Sequence, residues 1–119
     1  MNLTEELKSL GADVQEGLDR VMGDRDLYEM MLGMFLSSVE EHSIAPEDFD
    51  AEDLDGLIKK IHTLKGITGN LALTPLFNGY TEALGLLRAG KAGEGKAAYK
   101  KLLPTQSAMI ECIRRHQTA

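Results

Sequence analysis

The chain has 119 residues, a formal net charge of −6, a single cysteine and no tryptophan. That length suits one domain over 1–119 with a core of its own, and the acidic balance argues against nucleic acid as the main partner. Cys112 has no internal disulfide partner, the first residues lack a signal-peptide pattern, and no apolar run reaches the ~18 residues of a membrane span. The expectation is a monomeric, cytoplasmic helical domain, and the Met1 start with a short polar tail favours a free-standing one.

Apolar residues recur at intervals of three and four, so strands are not expected. "LTEELKSLGAD" predicts a short opening helix capped by Asn2 or Thr4 and stopped by Gly11. "DVQEGLDRVMG" follows, with Val14, Leu18, Val21 and Met22 on one side and Gly23 as its close. Asp24 caps a longer helix over about 25–43 that carries Leu27, Tyr28, Met31, Leu32, Phe35, Leu36 and Val39. Pro46, in the acidic run "SIAPEDFD", marks a connector. Asp50 is the expected cap of the next helix, which runs to about Leu73 with Glu52, Asp53 and Asp55 serving its dipole. Thr74 caps and Pro75 opens another helix to about Ala89. "AGKAGEGK" turns the chain into a final helix over about 94–116, where Pro104 should kink or split it. Four substantial helices with short connections pack most simply as an all-α antiparallel bundle, with the short N-terminal helix added.

The stretch "IHTLKGITGNLAL" (61–73) places Gly66 and Gly69 inside a helix, each at about 1 kcal/mol relative to alanine. At 100° per residue, Leu57, Ile61, Leu64, Thr68 and Leu71 share one stripe, and His62 lies roughly 130° from its middle. A histidine is commonly a satisfied core or surface residue, but here the helix already has a complete apolar face elsewhere. Gly66 and Gly69 follow His62 on its own side at one and two turns, and Lys65 at i+3 reaches the same spot. Lys59 frames the other flank, unless it is only a solvated edge. The set describes an exposed imidazole, a cleared backbone and a nearby cation, which suits a nucleophile approached by a bulky anionic group such as a phosphoryl. Close helix–helix packing is the competing reason for the glycines.

"HTLKGITGNLALTPL" resembles the signature of histidine phosphotransfer (HPt) domains, H-x-L-K-G followed by small residues and a helix break, and His62, Leu64, Lys65 and Gly66 match it. The earlier "GADVQEGLDRVMGDRDLYEMMLGMFL" is also similar to that family, in a Gly-Asp-Val-like start, "G-L-x-R", a "G-D" turn and a "Y-x-x-x-L-x-x-F" helix. The resemblance covers about residues 10–90. It implies an up-down-up-down four-helix bundle whose histidine shuttles a phosphoryl group between a kinase or receiver aspartate and another receiver aspartate. Carried over, His62 is the phosphoacceptor, Lys65 steadies the phosphoryl oxygens, and Gly66 clears the approach. The implied partners are receiver domains and a sensor or hybrid histidine kinase. The carrier would not be an enzyme, would have no ATP site or cofactor of its own, and would rely on the receiver for Mg²⁺. Two positions depart from the pattern: Ala72 stands where glycine is common, and Leu84 where Gln or Glu often bonds the imidazole, leaving Thr81, Glu82 or water to orient His62.

Other constellations are weaker. "GLLRAGKA" (85–92) nearly spells a phosphate loop, but Ala92 replaces the metal-binding hydroxyl and no strand precedes it. Paired Glu-x-x-His motifs for a di-iron bundle are absent. His42 and His116 read as solvated, Cys112 as an inert or partly buried thiol, and Met30, Met31 and Met34 as core filling or, failing that, an adaptable docking surface. The alternative function is a non-catalytic binding or dimerisation module on the same bundle.

Overall fold

The computed structural model describes residues 1–117, and these are all-helical: six α-helices and one 3₁₀ turn, with no strand among the described residues. The helices are α1 (Leu3–Ser9), α2 (Val14–Arg20), α3 (Arg25–Glu41), α4 (Asp55–Asn70), α5 (Thr74–Arg88) and α6 (Ala92–Gln117). Helix α5 packs along both α4 and α6, α3 touches α4 and α6, and α1 lies on α6. The core is aliphatic, with Leu32, Ile61, Leu64, Leu76, Leu84 and Met109 sealed among three buried tyrosines, Tyr28, Tyr80 and Tyr99. No helix among the described residues is long and apolar enough to cross a membrane.

Three helices start at side-chain caps: Asn2 accepts from the Glu5 amide, Asp13 from Glu16 and Asp24 from Leu27. Asp50 does not cap α4. Residues 46–50 form the 3₁₀ turn instead, which buries Phe49 against Tyr99 (ring centroids 5.5 Å apart) and pairs Asp50 with Lys96 at 2.8 Å. Held on α6, this turn leaves 51–54 to reach α4, which begins only at Asp55, whose amide donates to Asp53. Nor does Thr74 cap α5: Leu73 holds that position without a side-chain bond, while the Thr74 hydroxyl donates to the Ala72 carbonyl. Pro75 does fall in the first turn of α5. Helix α6 is neither split nor interrupted at Pro104, which sits on an exposed side where water can serve the freed carbonyl.

Helix α2 ends differently from expectation. Met22 is 96% exposed and left-handed (φ 57°), forming with Gly23 the C-terminal cap whose amides bond Asp19 and Leu18 carbonyls, rather than packing inward. Helix α4 closes the same way. Ala72 (φ 55°) donates to the Gly69 carbonyl and Leu73 to the Thr68 carbonyl. Position 72 is thus a left-handed helix cap, a conformation that glycine adopts most easily.

The turn that leads into α2 and the first turn of α3 buttress that cap. The Asp13 amide donates to the Ala72 carbonyl (2.9 Å), and the buried Tyr28 hydroxyl donates to the Leu71 carbonyl (2.8 Å). Gly17 lets α2 approach closely enough, because a Cβ there would lie 2.5 Å from the Tyr28 ring and 2.9 Å from the Leu71 oxygen. A Gly17→Ala protein is expected to melt several degrees lower. Overpacking against a ring and a backbone oxygen costs about 1–3 kcal/mol, more than the ~1 kcal/mol gained in helix propensity. An unchanged melting temperature would show that this contact gives way freely.

Candidate functional site

Helix α4 separates its faces as its sequence period requires. Leu57, Ile61, Leu64, Thr68 and Leu71 are all buried, and the Thr68 hydroxyl is satisfied by the Leu64 carbonyl at 2.8 Å. His62 and Gly66 are exposed on the other side. His62 makes no hydrogen bond or ion pair with any described residue, so its imidazole stands in water with both ring nitrogens open.

The two glycines do different things. A Cβ at Gly66 would meet nothing within 4 Å, so no neighbour requires the absence of a side chain there. A Cβ at Gly69 would lie 3.0 Å from two atoms of the Phe77 ring, so packing against α5 gives a reason of its own for the missing side chain there. Phe77, from the first turns of α5, is the residue that sequence reasoning missed. Its ring rests on Gly69, and the Lys65 ammonium stands 6.0 Å from the ring centroid, within cation–π reach. The signal lay in an aromatic placed just across a short connection from a helical glycine.

Gly66, Gly69 and Phe77 form one wall of an open groove of about 440 Å³, completed by Asn70, Asn78 and, from α2, Glu16 and Arg20. Arg20 pairs with Glu16 at 2.6 Å along α2. A smaller apolar groove of about 170 Å³ runs between α3 and α4, lined by Met31, Met34, Phe35 and Ile67. Met30 and Met34 are 57% and 61% exposed, so these two methionines are surface and not core, whereas Met31 is half-buried.

The remaining predicted positions fall as follows. Lys59 is exposed on α4 and makes no hydrogen bond or ion pair with a described residue, and Lys60 donates to the Ser43 carbonyl at 2.9 Å. Leu84 is buried in the core and does not face His62. Thr81 donates its hydroxyl to the Phe77 carbonyl (2.6 Å), and Glu82 is exposed without a bond to the imidazole, so neither orients His62. His42 ends α3, half-buried. His116 is not a solvated residue, since its Nε2 lies 3.1 Å from Glu6. Cys112 is fully buried, and burial pushes its thiol up to about 11, which keeps it protonated as long as no cation replaces the proton.

Compared with protein-family models, curated proteins and solved structures, the chain matches none.

Proposed function

We propose that the protein is a cytoplasmic histidine phosphotransfer carrier of a phosphorelay, its long helices α3–α6 forming an up-down-up-down four-helix bundle. The observation that carries this reading is an unpartnered, exposed His62 on a helix whose core face is complete without it, next to a glycine that no neighbour requires. Neutral imidazole has one nitrogen without hydrogen. Its lone pair attacks phosphorus of a receiver's aspartyl phosphate, a P–N bond forms as the P–O bond to the carboxylate breaks, and the carboxylate leaves as an anion. Reversal on a second receiver discharges the carrier. Little covalent chemistry is asked of the protein, so rate comes from positioning and charge compensation. Mg²⁺ would come with the receiver.

Under this reading the open Gly66 surface admits the receiver's active-site loops, and exposed Met30 and Met34 give a repackable apolar margin for docking. Lys65, steadied by Phe77, supplies positive charge for the transferred oxygens. Incubation with receiver domains charged by acetyl phosphate tests the proposal: label should pass to the carrier and back to a fresh receiver. No transfer from any receiver of the same source would overturn it. Lys65→Ala should slow transfer by up to about fivefold, since one partly exposed cation contributes at most about 1 kcal/mol. A wild-type rate at low and high salt would make Lys65 a solvated helix charge.

A further inference from the structure

Away from α4, three metal-ligating side chains converge where α1 meets the end of α6. The carboxylate of Glu6, the thiol of Cys112 and the imidazole of His116 place one donor atom each within 4.8 Å of the others. Cys112 and His116 stand one turn apart on α6, the C-x₃-H spacing that lets two side chains of one helix share an ion. Glu6 comes from α1, 106 and 110 positions earlier in the sequence, so only the folded chain assembles the set. We propose that Glu6, Cys112 and His116 form a binding site for a borderline-soft divalent cation, Zn²⁺ above all, that clamps α1 to α6.

The donor set fits that class. Sulfur and imidazole select zinc-like ions over Mg²⁺ or Ca²⁺, and with bond lengths of about 2.0–2.3 Å the three donors need to close in by only about 1 Å, within rotamer motion. The sulfur is buried while Glu6 and His116 are partly exposed, so the ion enters from solvent and keeps a water as its fourth ligand. Arg115 is compatible with this arrangement. It grips Glu6 closely through Oε2 (2.8 Å) and only loosely through Oε1 (3.5 Å), the oxygen that His116 also faces (3.1 Å); an ion would take Oε1 in place of the long contact and leave the short one as the outer hydrogen bond that orients the carboxylate. Sulfur ligates as the thiolate, so binding would release the Cys112 proton to solvent. The site shares no residue with the phosphotransfer reading and stands or falls without it.

Co²⁺ titration of chelator-treated protein tests the site, because a thiolate ligand gives a charge-transfer absorption that nitrogen and oxygen ligands do not. One equivalent of Co²⁺ should develop that absorption together with the intense visible bands of four-coordination, and Zn²⁺ should abolish both. Zn²⁺ should also raise the melting temperature of the wild type by several degrees and leave Cys112→Ala unmoved. His116→Asn, at a partly exposed position that should fold normally, should weaken Co²⁺ binding at least tenfold. Absence of the charge-transfer absorption would overturn the proposal. So would a zinc-induced rise in melting temperature that survives His116→Asn, since it would place the ion at His42 or His62.

Discussion

A His62→Gln protein is expected to accept no phosphoryl group from a charged receiver while melting at the wild-type temperature. The imidazole touches nothing that folding depends on, because it makes no hydrogen bond or ion pair with a described residue and the Leu57–Leu71 stripe behind it is closed. Exposed substitutions of this kind change stability by about 0.5 kcal/mol or less. Glutamine keeps the size and polarity of the side chain but offers no ring nitrogen lone pair to attack phosphorus, so the loss should be complete. Acid-labile label retained on the variant, or found on His42 or His116, would remove His62 from the reaction. A lowered melting temperature would show that the imidazole has a structural role.

Gly66→Gln should separate access from packing with nearly as large an effect. The position is open in every direction that a Cβ explores, so a side chain there fits the fold and gains helix propensity of up to about 1 kcal/mol. The same side chain stands one turn from His62, where under the proposed function a receiver would bring its phosphoaspartate. Transfer should fall by one to two orders of magnitude, the scale on which misplacements of about 1 Å are felt in positioned reactions. Gly69→Gln gives the contrasting result. Its Cβ presses on the Phe77 ring at 3.0 Å, so the domain should melt lower and transfer should fall only through the displaced Lys65 support. If Gly66→Gln instead melts several degrees low, the glycine at 66 serves the packing of the helices.

What could be read in advance followed the helical period, and what could not depended on distant partners. The stripe of α4, the exposure of His62 and the burial of Tyr99, Met109 and Ile113 all follow from spacing along one helix. The role of Gly69 depends on where α5 lays Phe77, which spacing within α4 does not contain. The caps at Met22 and Ala72 were hidden because residues that disfavour positive φ hold it there; a left-handed L-residue costs about 1–2 kcal/mol, so the sequence alone favoured Gly23 as the stop. Asp50 is a plausible cap by composition, and it is drawn off α4 only because Phe49 finds Tyr99 and Lys96 finds Asp50. Glu6 and His116 meet across 110 positions of sequence, which no local pattern records.

The solitude of His62 also bears on what loading would do to the rest of the molecule. A side chain that holds no neighbour has none to release, and a phosphoryl group added there would remain hydrated instead of being drawn inside. Loaded and empty forms would then share one shape and differ in folding free energy by no more than the Lys65 contact, about 1 kcal/mol, since a bound group shifts a conformational equilibrium only through differential contacts. Such a carrier does not sense its own cargo. The direction of flow would be set by the relative abundance and charge state of the receivers it meets, and traffic in either sense would cross the same unaltered surface.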